Sequence, residues 1–121
     1  MLEAISNQKT INPGYVSQKA RATIVRCDKP FDVSHHIKLD KAEDFPFVIG
    51  SDSLSDLKVS SRQEERFHAS IQKIEGEWVI STIARKTQVT LNDQPIFMTT
   101  LKHLDKIQIE GLSFWFVLQA S

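Results

Sequence analysis

The sequence has 121 residues, and its fifteen basic and fifteen acidic side chains give a formal net charge of zero. That length fits one domain with its own core, and a neutral chain creates no field that would attract nucleic acid or an anionic membrane surface. A protein partner is therefore favoured. The single cysteine excludes an internal disulfide. With no signal peptide and no apolar run near the roughly 20 residues of a membrane helix, the sequence favours a cytoplasmic location.

The first twenty residues mix polar side chains around a Pro13-Gly14 break and show no sustained hydrophobic period. Such a segment is typical of a mobile terminus. We therefore predict a flexible N-terminal arm over residues 1–20 and a single folded domain over residues 21–121.

After the arm, short segments that alternate or carry β-branched residues follow one another along the chain. They are RATIVRC, HHIKL, FPFVIG, LKVS, FHASIQKI, EWVIST, QVTLNDQPIF and DKIQIEGLSFWFVL. Glu75-Gly76, Asn92-Asp93 and Glu110-Gly111 have the composition of tight hairpin turns. No window has the period of a long amphipathic helix, so the pattern predicts an all-β sandwich or barrel of about ten short strands.

Apolar spacing within these segments also predicts the core. The candidate core residues are Val48, Ile49, Leu57, Ile71, Trp78, Ile80, Leu91, Ile107, Phe114 and Phe116. Trp115, which lies between the last two, has no basic neighbours, so the aromatic run is interpreted as core packing and not as a nucleic-acid surface.

The residues that could carry catalysis are few and scattered. His35-His36 would point to opposite faces of a strand, while His68 and His103 stand outside any metal-ligand spacing. Cys27 falls in a predicted strand, where a cysteine more often packs as a small hydrophobe than acts as a nucleophile. We expect no enzyme, no metal and no cofactor; a small hydrolase or metal protein built on His68 and Cys27 is the alternative from another class.

The basic pair Arg85-Lys86 lies in a predicted loop between two strands. A pair of this kind is usually a solvated loop tip. The functional alternative is a contact with an anion or a carboxylate.

Four motifs occur in a recognisable order: FVIGSDSLSDLKV, EERFHASI, ARKTQVTLNDQPI and LKHLDKIQIEGLSFWF. In this order they resemble the forkhead-associated (FHA) family of phosphothreonine-binding β-sandwiches, over about residues 21–118. The resemblance implies a sandwich of about ten to eleven short, mostly antiparallel strands. It also implies that Gly50 and His68 are structural, with His68 bracing the binding loops from within.

The chain departs from the family where the phosphate is held. Ser51 stands at the place of the phosphate-gripping arginine, and Glu65 at that of a serine, which would bring a negative charge to a dianion site. The scaffold is kept while the phosphate site is largely replaced. The candidate partner-binding residues are Ser51, Glu65, Arg66, Arg85, Lys86, Thr87 and Asn92.

The string IGSDSLSDLKV has Gly-Ser-Asp where the family has Gly-Arg. In this it is similar to the cytoplasmic domain of the D-type inner-membrane ring proteins of type III secretion systems. The sequence therefore predicts a protein-interaction or assembly module that is monomeric in isolation and part of a ring or complex in the full assembly. The alternative is a working phosphothreonine-peptide receptor in a signalling or scaffold protein, which uses Arg66, Arg85 and Lys86 as a non-standard basic loop.

Overall fold

The structure is a computed structural model that describes residues 21–29, 31–60 and 65–119. The described residues form eleven strands in two sheets and contain two short 3-10 helices, over Val33–His35 and Asp40–Glu43, but no α-helix. The strands are β1 (Arg21–Arg26), β2 (His36–Lys38), β3 (Phe47–Gly50), β4 (Leu57–Lys58), β5 (Phe67–Ile74), β6 (Glu77–Thr82), β7 (Val89–Leu91), β8 (Gln94–Pro95), β9 (Met98–Thr100), β10 (Lys106–Ile109) and β11 (Leu112–Gln119).

One sheet has six strands in the order β2-β1-β11-β10-β7-β8, and the other has five in the order β4-β3-β5-β6-β9. Every pairing is antiparallel except that of β3 with β4. The all-β sandwich predicted from the sequence is confirmed. The proposed arm over residues 1–20 lies outside the described residues. Within the described ranges, no helix is long and apolar enough to cross a bilayer.

The three predicted tight turns close hairpins. Glu75-Gly76, Asn92-Asp93 and Glu110-Gly111 all have positive φ at both residues, as two-residue hairpin turns of the primed type require. The hairpin at Asn92-Asp93 is shorter than predicted, however. β8 ends at Pro95, which has no N–H to extend a ladder, and the chain then crosses to β9 in the other sheet.

The two sheets enclose one hydrophobic core, in which Trp78 of one sheet lies against Phe116 of the other with ring centroids 6.0 Å apart. Seven of the ten predicted core residues are buried. Those seven are Ile49, Ile71, Trp78, Ile80, Ile107, Phe114 and Phe116.

The other three predicted core residues are only half-buried. Val48 alternates with buried neighbours along β3 and so faces the outer side of its sheet, while Leu57 and Leu91 lie in or next to edge strands and pack against the core from its margin. Trp115 also points outward, with 37% of its surface exposed, because strand alternation places its neighbours on the inner face. Cys27 comes just after β1 and is half-buried.

A β-bulge interrupts the regular pairing of β3 with β5. Ile49 pairs with Ala69 but Gly50 pairs with Phe67, so His68 is the extra residue on β5. A bulge breaks the strict alternation of a strand. His68 and Ala69 are consequently both buried, although a regular strand would turn one of them outward.

Gly50 permits a very close approach of the two backbones at this bulge. A Cβ at residue 50 would lie 2.3 Å from the carbonyl oxygen of Arg66 and 2.8 Å from the Cα of Phe67. That same carbonyl accepts hydrogen bonds from the amides of Ser51 and Asp52, both at 3.0 Å. Because residue 50 has no side chain, the loop after β3 can approach the loop before β5 this closely.

We expect Gly50→Ala to lower the free energy of unfolding by about 1 to 3 kcal/mol, because the backbone of residues 66–67 must move away from the new methyl group. Urea unfolding measures the loss, and amide NMR locates it. Gly76→Ala is the control, since φ is +83° there but nothing lies within 4 Å. Only Gly50→Ala should shift the amides of Ser51 and Asp52. Native stability with unshifted amides would contradict the close approach.

Candidate functional site

Three loops meet at one end of the sandwich, and we call residues 51–56, 65–66 and 83–88 the loop end. They meet because β3 ends, β5 begins and β6 ends at the same side of an antiparallel sheet. The Ser51 hydroxyl donates to the carbonyl oxygen of Glu65 at 2.7 Å, which ties the first two loops together. The loop end contains all the predicted partner-binding residues except Asn92.

The Glu65 carboxylate joins the second loop to the third. Its Oε1 accepts hydrogen bonds from the backbone amides of Arg85 at 2.8 Å, of Lys86, and of Thr87 at 3.4 Å. Three consecutive N–H groups directed at one point form an anion-binding concavity. At the loop end that concavity is occupied by a carboxylate of the same chain.

Arg66 is held by an acidic neighbour that the sequence analysis did not single out. Its Nε donates to Oδ2 of Asp52 at 2.6 Å, and a second guanidinium nitrogen contacts the same oxygen. The other carboxylate oxygen of Asp52 accepts from the amide of Leu54 at 2.8 Å. The Leu54 amide and the Arg66 guanidinium lower the pKa of Asp52, so this carboxylate stays charged and paired.

The remaining candidates divide into exposed and buried groups. The side chains of Arg85 and Lys86 are exposed, whereas Thr87 is buried and its hydroxyl donates to Oε1 of Glu110 at 2.9 Å. The Thr87 hydroxyl is therefore bonded inside the domain and does not face a partner at the surface. Glu110 was predicted only as a turn residue, and the sequence gives no sign that the fold brings it under residue 87.

His68 lies beneath the third loop. Its side chain is fully buried, and Nε2 is 3.9 Å from Oε1 of Glu110. Its carbonyl oxygen accepts from the amides of Ile83 at 2.8 Å and Ala84 at 3.1 Å, so His68 fixes the start of that loop. Burial at the bulge is what the brace hypothesis requires of this residue.

Asn92 does not belong to the loop end. It lies at the far end of β7, next to Lys106, whereas Thr87 lies near Glu110 at the near end. Its Nδ2 donates to Asp105 at 2.9 Å and its Oδ1 accepts from the Lys106 amide at 2.9 Å. These bonds stabilise the turn after β7, and the structure does not bring Asn92 together with the other candidates.

The residues considered for catalysis lie apart. His103 accepts from the Leu118 amide at 3.0 Å, and His35 is 3.1 Å from Asp32. Burial raises the pKa of the Cys27 thiol, with Lys106 opposing, which disfavours a thiolate. In the described ranges no three His, Cys, Asp or Glu residues are grouped so that they could hold a metal ion.

The sequence model of the FHA domain family matches residues 47–110, more than half of the chain. This chain belongs to the FHA domain family. FHA domains are protein-interaction modules, and the match includes the bulge, the loop end and the Asn92 turn. No curated protein matches the chain in sequence.

Solved structures agree with this fold. EmbR of Mycobacterium tuberculosis, solved with a low-affinity phosphopeptide, has a TM-score of 0.72 and 22% identity over 84% of this chain, which spans only 25% of the EmbR chain. The FHA-1 domain of Rv1747 from the same organism has a TM-score of 0.66 and 16% identity, over 83% of this chain and 97% of that one. The FHA domain of CT664 from Chlamydia trachomatis has a TM-score of 0.65 and 20% identity, over 80% and 96%. At these identities the likeness concerns the fold.

We expect His68→Ala to cost roughly 1 to 3 kcal/mol of folding stability, because it leaves a cavity beneath the third loop. Thermal or urea unfolding measures the change. Lys102→Ala, at an exposed lysine, should stay within about 0.5 kcal/mol of the native chain. Equal stability of His68→Ala and the native chain would contradict the brace hypothesis.

The contact between Glu65 and the loop should depend on pH. The Lys86 amide, with those of Arg85 and Thr87 and the nearby His68, lowers the pKa of Glu65 below its ordinary value of 4.5, although desolvation opposes them. For a carboxyl group with a lowered pKa, the stabilisation is complete above the unfolded value. It is lost as the pH falls from 4.5 through the folded pKa.

An NMR titration of the Arg85 and Lys86 amides measures this dependence. We expect both amides to shift together with a midpoint below 4.5. Glu65→Gln, which cannot titrate, is the control and should abolish the step. A midpoint at or above 4.5 in the native chain would show that the amides do not hold the carboxylate.

Proposed function

We propose that this chain is a non-enzymatic protein-interaction module whose binding does not depend on a phosphate on its partner. The observation that carries the proposal is the Glu65 carboxylate on the amides of residues 85–87. A phosphate approaching those amides would meet a negative charge already bonded to them. Repulsion and the loss of existing hydrogen bonds would both oppose its entry.

Two further contacts support this proposal. Ser51 supplies a short hydroxyl, bonded to Glu65, where the family resemblance expects an arginine. Arg66, the nearest cation in sequence, is paired with Asp52. A charge-assisted hydrogen bond contributes about 1.5 to 3 kcal/mol, so the replacement of two phosphate contacts should weaken phosphate-dependent binding by about a hundredfold or more.

The partner surface we propose consists of exposed side chains at the loop end. Leu54 is 79% exposed, and Arg66, Arg85 and Lys86 are exposed on the other two loops of the loop end. An exposed leucine together with three cations would fit an extended partner segment that carries carboxylates and one apolar anchor residue. Ser51, Glu65 and Thr87 would support that surface from below.

The setting we propose is the cytoplasmic domain of a secretion-system inner-membrane ring protein of the D type. The Gly50-Ser51-Asp52 string supports it. In this chain Ser51 is bonded to the Glu65 carbonyl and Asp52 is paired with Arg66, so both residues form contacts within the loop end where the family's Gly-Arg would offer a cation to a ligand. Such a domain would be monomeric alone and assembled in the ring. A membrane helix encoded in the same gene would favour this setting, and its absence would count against it.

Matched phosphothreonine and threonine peptides test the module. By calorimetry on the native chain we expect the two forms of any bound peptide to differ by less than about tenfold in affinity, since a tenfold difference needs about 1.4 kcal/mol from the phosphate. Lys86→Ala should weaken both forms alike. Lys102→Ala, an exposed lysine at the opposite end, is the matched control and should weaken neither.

The opposite result would favour the phosphothreonine receptor. A phosphate-dependent gain of more than about tenfold, abolished by Arg66→Ala or Lys86→Ala but not by Lys102→Ala, would show that the basic loop binds the phosphate itself.

A further inference from the structure

The amides of Arg85, Lys86 and Thr87 are held in place by contacts that do not involve Glu65. Before them, the amides of Ile83 and Ala84 are bonded to the carbonyl oxygen of His68. At their end, the Thr87 hydroxyl is bonded to Glu110. The chain is therefore anchored on both sides of the three donors by contacts that do not involve Glu65.

The charges around these donors favour an anion. Arg85 and Lys86, whose amides form part of the concavity, have exposed cationic side chains, and the Arg66 guanidinium on the adjoining loop is paired with Asp52. Fixed amides with two cationic side chains are the donor set that binds phosphate and sulfate in other proteins. The negative group that the structure places there is the Glu65 carboxylate.

We propose that the amides of residues 85–87 form an oxyanion site and that Glu65 is its built-in occupant, which keeps external phosphate out of the native chain. This inference rests on the proposed function and gives its physical cause. An external ligand binds only the fraction of molecules in which Glu65 has left the amides. If that fraction is about one in a hundred, the apparent dissociation constant rises about a hundredfold.

Inorganic phosphate is the probe, titrated into the full chain near neutral pH at constant ionic strength and followed by amide NMR. In Glu65→Ala we expect saturable shifts at the amides of residues 85–87, with a dissociation constant at least about tenfold lower than in the native chain. Glu64→Ala removes the same charge one residue earlier in the sequence and is the matched control. It should respond like the native chain.

Glu65→Gln is the second variant. It keeps a carbonyl acceptor of the same length but no charge, so its phosphate affinity should lie between those of the native chain and Glu65→Ala. A native chain whose amides at 85–87 bind phosphate as tightly as those of Glu65→Ala would overturn the proposal. A folded Glu65→Ala without shifts at those amides, or with shifts matched by Glu64→Ala, would also overturn it.

Loss of the fold in both Glu65 variants would contradict the proposal too, because His68 and Glu110 are argued to hold the donors without the carboxylate. The proposed function fails separately, on a phosphate-dependent gain by the native chain in the peptide experiment. A native chain indifferent to peptide phosphate, together with a Glu65→Ala variant that ignores inorganic phosphate, would overturn this inference alone.

Discussion

At the bulge between β3 and β5, the backbone of Gly50 lies so close to the Arg66 carbonyl that no side chain fits between them. The extra residue on β5 turns His68 inward, and its carbonyl then holds the amides of Ile83 and Ala84. One irregularity therefore sets the positions of three loops. Without the bulge the loop end could not have this arrangement, because a regular strand would place the residue 68 side chain and carbonyl differently.

The loop end is closed by interactions within the chain. Glu65 is bonded to three amides, Arg66 to Asp52, and Thr87 to Glu110. The Glu65, Arg66 and Thr87 side chains and the amides of residues 85–87 therefore each have a partner within the chain. Because these contacts use the backbone donors of residues 85–87, exposed side chains are left for recognition. Under the function we propose, such a surface would discriminate by shape and net charge more than by one modified residue.

Much of the fold follows from the sequence, because alternation and turn chemistry are local. The strands of the Glu75-Gly76 and Glu110-Gly111 hairpins were predictable in this way. Val48 and Trp115 were misplaced because apolar identity does not reveal which face of a sheet is covered. Core residues outside the regular strands, such as Leu39 and Leu101, have no period to mark them. At the site, the pairing of Arg66 with Asp52 and of Thr87 with Glu110 joins residues far apart in sequence, so only the topology reveals it.

The identity of residue 65 has a larger effect than its place in a loop suggests. Backbone amides are present whatever the side chains of this loop are, unless a residue is proline, so most substitutions in the loop leave the three donors in place and change only what they bind. A hydroxyl at residue 65 would carry no negative charge, so the three amides would remain available to an external anion. A carboxylate supplies that charge from within the chain, where it competes with a diffusing ligand as an intramolecular group. One side chain can thus change what the loop end recognises while Gly50, His68 and the sheets that hold the loop remain the same.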